Sequence, residues 1–209
     1  MPFDLWLAFV AASTALLLIP GPTVLLVLSY ALSQGKRVAV ASATGVAVGD
    51  FVAMTLSLAG LGALVLASAT LFSVLKWVGA VYLIYLGIKL LRSAPSEGLD
   101  TMGSDTTVSG GGVFWHAAAV TALNPKSIAF FIAFVPQFVS VDLPLLPQFG
   151  ILIVTFVGLA VINALAYALL ADRLRQTIKR PNVITWLTRS GGVALVGMGI
   201  MTALIRRQA

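Results

Sequence analysis

From Leu5 to Gly35 the chain carries no charged side chain, and long charge-free stretches recur to its end. Val38 to Leu75 holds one charge, Asp50, and Val113 to Val141 holds only Lys126 as a formal charge. Leu143 to Ala171 and Ser190 to Ile205 hold none. A helix crosses the hydrocarbon core with about 20 apolar residues, because lipid offers the backbone no hydrogen-bond partner. Runs of this length restrict the chain to an all-α, multi-pass membrane protein. Composition agrees, with 59% of 209 residues apolar and 10% charged, against about 25% charged in an ordinary soluble domain. A soluble globular enzyme and a disordered chain are excluded. The absence of cysteine excludes a disulfide-stapled domain, thiolate catalysis and thiolate metal ligation.

The runs predict six helices, over residues 4–32, 40–66, 70–91, 113–139, 145–170 and 184–205. The first lacks a basic n-region and carries Asp4 instead, so it reads as a retained span and not a signal peptide. Between the third and fourth, residues 93–112 are rich in Gly, Ser and acidic side chains and form the one linker, separating units at 1–92 and 113–209. A net charge of +6 invites a nucleic-acid reading, but the basic residues sit at the ends of apolar runs without interleaved aromatics. Lys36, Arg37, Lys89, Arg92, Arg173, Arg175, Lys179, Arg180 and Arg189 fall in the odd-numbered loops, with Lys76, Arg206 and Arg207 opposite. That bias predicts cytoplasmic odd loops.

The two units match in order. Gly79 to Ile88 aligns with Gly191 to Ile200, Gly45 to Asp50 with Gly158 to Asn163, and Gly21-Pro22-Thr23 with Asn124-Pro125-Lys126. Three helices per unit is an odd number, so the units lie inverted in the membrane. Secondary transporters are commonly built this way, with the site near the midplane at helices broken in corresponding positions. Pro20-Gly21-Pro22 and Asn124-Pro125 are such interruptions, since proline lacks the amide donor a continuous helix needs. A plain proline kink is the simpler reading of either one alone.

Asp50 and Lys126 are the only ionisable carboxylate and amine well inside apolar runs. Each costs about 2.5–3.5 kcal/mol at a helix centre, so an idle charge there is disfavoured. Asp50 is read as taking a proton or a substrate ammonium, and Lys126 as facing a carboxylate; a structural salt bridge is the alternative. Asn163, which aligns with Asp50, is neutral. Asn124, Thr23 and Gln137 are candidate hydrogen-bonding groups, and Tyr82 and Tyr85 line the cavity or anchor at the interface. His116, the only histidine, suits an interfacial position better than a proton relay. One histidine, one buried acid and no cysteine are too few for a metal site, and no Gly-rich phosphate loop is present, so no cofactor is expected. The glycines of the spans, among them Gly45, Gly49, Gly60, Gly87, Gly197 and Gly199, are expected to let helices approach closely. Short helices rich in small residues favour a homo-oligomer.

These residues resemble the LysE/RhtB family of amino-acid exporters. The resemblance rests on Pro20-Gly21-Pro22, on Gly45 to Asp50, and on Gly79-Ala80, Tyr82-Leu83 and Tyr85-Leu86-Gly87. It rests above all on Asn124-Pro125-Lys126 followed by Phe130-Phe131, Phe134 and Pro136-Gln137-Phe138. It covers essentially the whole chain. It implies a prokaryotic plasma-membrane efflux carrier for amino acids, driven by the proton or membrane-potential gradient. Many members carry Asn after the Gly-Pro pair where this chain has Thr23, which bears on the substrate. The balanced Asp50 and Lys126 favour a neutral amino acid such as threonine, homoserine or leucine. The alternatives are a basic amino acid, an ion channel of similar architecture, an assembly subunit and, least favoured, an intramembrane enzyme.

Overall fold

A computed structural model describes residues 1–19, 21–34, 36–67, 69–92, 109–140, 143–171 and 181–204. Among them the chain is helical throughout, with no strand. The elements are α1 (Phe3–Leu18), α2 (Pro22–Gln34), α3 (Lys36–Ala67), α4 (Ala69–Arg92), α5 (Gly110–Ala122), α6 (Pro125–Ala129), α7 (Leu145–Leu169) and α8 (Pro181–Leu204). Between α6 and α7 a π-helical turn at Phe130–Phe134 runs into a 3-10 turn at Val135–Phe138. Among the described residues three helical stretches are long and apolar enough to cross a membrane: Val38–Ala63, Gly110–Phe138 and Leu145–Leu169. The pair α1 and α2, bent by 56° at their junction, makes a fourth when taken together. The 24-residue helices α4 and α8 pack against each other.

Element positions follow the apolar runs, with three starts displaced: α3 begins at Lys36 and not at 40, α8 at Pro181 and not at 184, and α5 at Gly110 and not at 113. The sequence reads residues up to 112 as linker, yet Gly110 to Gly112 form the first turn of α5. Ser109 supplies the cap, its hydroxyl accepting from the Gly112 amide at 3.3 Å. The rest of the linker, 93–108, lies outside the described residues, as do Pro20 and the basic residues Arg173, Arg175, Lys179, Arg180, Arg206 and Arg207.

Both interruptions are built alike. Ile19 turns into extended backbone after α1, and Pro22 opens α2 as its first residue. Leu123 and Asn124 separate α5 from α6, and Pro125 again opens the new helix. Proline suits a first position because its missing N–H would have no intrahelical acceptor there.

Glycines set two helix contacts. On α3, a Cβ at Gly45 would strike the Phe114 carbonyl and Ala117, and one at Gly49 would lie 2.6 Å from the Ala118 carbonyl oxygen. Rising numbers on both helices make α3 and α5 parallel. On α4, Gly87 abuts Gly192 and Val196, whereas Gly199 abuts Ala80 and Ile84, so α4 and α8 are antiparallel. Not every span glycine acts this way: a Cβ at Gly60, Gly158 or Gly197 would meet nothing within 4 Å. The close-approach role expected of Gly60 and Gly197 is therefore corrected. Gly158, which aligns with Gly45, shares its residue type without its contact.

The apolar interior divides in two. A larger cluster joins Phe9, Met54, Leu58, Phe130, Phe131, Phe134 and Phe156, with Phe131 and Phe156 edge to face at 4.8 Å between ring centroids. A smaller, alanine-rich cluster joins Leu26, Val27, Ala39, Ala43, Val46, Ala164 and Ala168. Along α7, Ala160 belongs to the first and Ala164 to the second, with Asn163 between them.

Candidate functional site

A cavity with about 460 Å³ of space free of atoms, counted out to its mouth, lies where the two apolar clusters meet. The ends of both broken spans border it. Leu16, Leu17 and Gly21 come from the first break, Thr23, Val24 and Val27 from α2, and Val46 and Asp50 from α3. Asn124, Lys126 and Ser127 come from the second break, and Ala160, Asn163, Ala164 and Tyr167 from α7. Of the residues singled out in the sequence, Gly21, Thr23, Asp50, Asn124, Lys126 and Asn163 share this one cavity. Pro22 and Pro125 flank it as the first residues of α2 and α6.

Lys126 makes no direct ion pair with Asp50. Its ammonium donates to the carbonyl oxygens of Ile19 at 3.0 Å and Leu16 at 3.1 Å. The last carbonyls of a helix have no intrahelical donor and form the negative end of its dipole, so a cation on α6 completes the end of α1. Two side chains of α7 finish the task. Asn163 donates from Nδ2 to the Leu17 carbonyl at 3.1 Å, and the Tyr167 hydroxyl donates to Leu18 at 3.3 Å. The residue aligned with Asp50 is thus a helix-end cap. Gly21 leaves the room: a Cβ there would lie 3.3 Å from Lys126 Nζ.

Asp50 is 2% exposed, near the middle of α3. Among the described residues its carboxylate makes no hydrogen bond and no direct ion pair; Lys126 is the charge that acts on it, across the cavity. The salt-bridge alternative therefore does not describe this arrangement. Glycines 45 and 49 bring the flanking turns of α3 onto α5 and fix the position of the carboxylate.

The neutral groups form a second small network. Asn124 accepts from the Lys126 amide at 3.0 Å and donates to Thr23 Oγ1 at 3.1 Å, and the Thr121 hydroxyl also donates to Thr23, at 3.4 Å. Thr23 thereby joins the two breaks. Gln137, Tyr82 and Tyr85 do not line the cavity. Gln137 donates to Thr202 Oγ1 at 2.6 Å, and the two tyrosines are exposed on α4. His116 meets the Tyr30 hydroxyl at 2.7 Å, tying α5 to α2 away from the cavity.

Tyr167 and Ser127 were missed in the sequence. Tyr167 was findable, because it follows Asn163 by four residues and so shares its helical face. Removing its partner tests the cap directly. Asn163→Ala is expected to leave the Leu17 carbonyl unsatisfied and cost about 1–3 kcal/mol, read as a lower thermal midpoint of the purified protein. An unchanged midpoint contradicts the capping role.

Paired helix breaks thus enclose one buried acid without a direct partner and one helix-bound cation. The chain matches the family model for the LysE type translocator over residues 14–205 and belongs to that family. It is 37% identical over 206 residues, 99% of each chain, to the homoserine/homoserine lactone efflux protein of Salmonella typhimurium. An uncharacterized membrane protein of Vibrio cholerae is 33% identical over 204 residues, covering 97% of this chain and 98% of that one. The leucine efflux protein of Salmonella choleraesuis is 34% identical over 137 residues, covering 65% of this chain and 64% of that one. No solved structure matches the chain.

Proposed function

We propose that the chain is a secondary exporter of neutral amino acids whose α-ammonium docks on Asp50. One observation carries this reading: the buried Asp50 carboxylate borders the cavity without a direct partner, while Lys126 is already engaged on α1. A cationic group is the ligand such a carboxylate lacks. The first turn of α2, at Pro22 to Val24, presents the positive end of a helix dipole to the same cavity and suits a substrate carboxylate. Val24, Val27, Val46, Ala160 and Ala164 offer a short apolar wall for a small side chain. A basic substrate would bring a second cation into a cavity that already holds Lys126.

The relatives support an amine-centred site. One is named for homoserine and its lactone, which share an amino group but not a free carboxylate, and another for leucine. The antiparallel α4 and α8, with both breaks at aligned positions, support six spans in two inverted units, 1–92 and 113–209. The Lys and Arg bias supports odd loops in the cytoplasm of a prokaryote, across its inner membrane. A proton or membrane-potential gradient is the energy source this arrangement suits, and the small residues of the helices suit association of copies in the membrane.

The test is inhibition of labelled leucine or homoserine uptake into inside-out vesicles by modified amino acids added outside. Esters and lactones, which keep the amine, are expected to compete. N-acetylated amino acids are not. Equal competition by the N-acetylated compounds would remove Asp50 from the recognition of substrate.

A further inference from the structure

We propose that Lys126 is the coupling group: the substrate ammonium, on reaching Asp50, displaces a proton from Lys126 Nζ, so that each amino acid leaving is exchanged for a proton. This rests on the reading above that the α-amino group docks on Asp50. It also moves the coupling proton from the acid, where the sequence placed it, to the base.

Three features of the cavity carry the inference. An ammonium has three N–H donors, and two of those of Lys126 are taken by the Leu16 and Ile19 carbonyls. The third has no hydrogen-bond acceptor among the described residues. A neutral amine keeps two N–H donors, so Lys126 can lose that third proton and still hold the end of α1. Deprotonation changes the charge of the cavity without undoing its frame.

Charge balance supplies the reason for the proton to leave. The empty cavity holds one acid and one base, Asp50 and Lys126. A substrate ammonium docked on Asp50 takes up the one carboxylate that faces Lys126 across the cavity, while the substrate's own carboxylate is held by the first turn of α2. Lys126 is then a cation without its counter-charge in surroundings of low dielectric, and the tethered cation is the one that can discharge. The groups facing Lys126 offer no substitute. From α1 they are carbonyls, from the first break Gly21 and from α2 Thr23; α3 brings Asp50, and α7 brings Asn163 and Tyr167. The Tyr167 hydroxyl is spent on Leu18. The titratable side chains described on α4, Tyr82, Tyr85, Lys89 and Arg92, are exposed on its outer side.

The proton balance is simple. On loading, Lys126 Nζ releases its proton to water on the side from which substrate enters, and Asp50 remains ionised opposite the substrate ammonium. When the substrate departs on the far side, Nζ takes a proton from the water there. The cycle moves one amino acid outward and one proton inward.

The test adds leucine or homoserine to the purified, full-length protein in weakly buffered detergent containing a pH indicator. Wild type is expected to release a proton for each substrate bound. Lys126→Met is expected to bind without release and, in vesicles, to exchange substrate for substrate while no longer concentrating it under a pH gradient. Lys126→Arg, whose charge cannot be discharged, is expected to bind at least about tenfold more weakly. Wild-type binding without proton release overturns the proposal, and that measurement stands whether or not either variant folds. Lys126→Met that still concentrates substrate under a pH gradient overturns it too. Failure of the underlying reading looks different: wild type binds neither amino acid, or Asp50→Asn binds as wild type does.

Discussion

Asp50→Asn is expected to abolish export while leaving the fold intact. The substitution keeps size and shape and removes the one uncommitted charge of the cavity. Removing one partner of a buried charge pair costs ~2 kcal/mol or more, at least about a thirtyfold loss of affinity. Cells expressing the variant should lose resistance to a toxic leucine or homoserine analogue that wild type exports. The frame is not at risk, because Asp50 caps no helix and makes no hydrogen bond among the described residues. Asp4→Asn, a neutralisation at the exposed start of α1, is the matched control and should export normally. Equal resistance with Asp50→Asn would show that the carboxylate does not serve transport.

The second large effect falls on packing. Gly49→Val is expected to prevent α3 and α5 from closing. Even a lone Cβ at Gly49 would stand 2.6 Å from the Ala118 carbonyl oxygen and 3.0 Å from the Ala122 amide nitrogen. Backbone on both sides cannot move aside as a flexible side chain can. Overpacking of this kind typically costs about 1–3 kcal/mol, and here it also displaces the adjacent Asp50. Yield and thermal midpoint should fall together. Gly158→Ala is the contrast, since its Cβ meets nothing within 4 Å; alanine favours a helix over glycine by about 1 kcal/mol. A Gly49→Val protein as stable as wild type would mean that α3 and α5 are not held backbone to backbone.

Helix positions and breaks were readable in the sequence because they depend on local chemistry. Charge-free runs need lipid, and Pro22 and Pro125 can open helices but not continue them. The sharing of one cavity by Gly21, Asp50, Lys126 and Asn163 was readable from the aligned units. Their individual bonds were not. Asn163 aligns with Asp50 yet caps α1, because an amide can donate to a carbonyl and a carboxylate cannot. Lys126 looked like a partner for Asp50 since opposite charges were matched in number and depth. Backbone carbonyls at a helix end carry no mark in a sequence, so the partners that Lys126 takes were invisible there. The same holds for glycines: Gly45 and Gly158 read alike, and only the helix facing each decides whether the missing Cβ matters.

Binding of labelled leucine and homoserine to purified wild type and Asp50→Asn protein tests the site most directly. Both proteins should elute as folded species with the same thermal midpoint. Wild type should bind at least one of the two amino acids saturably, and unlabelled ester or lactone should displace it. Asp50→Asn should bind neither measurably. Saturable binding of equal strength by folded Asp50→Asn would contradict the assignment and place the amino-acid site elsewhere in the bundle.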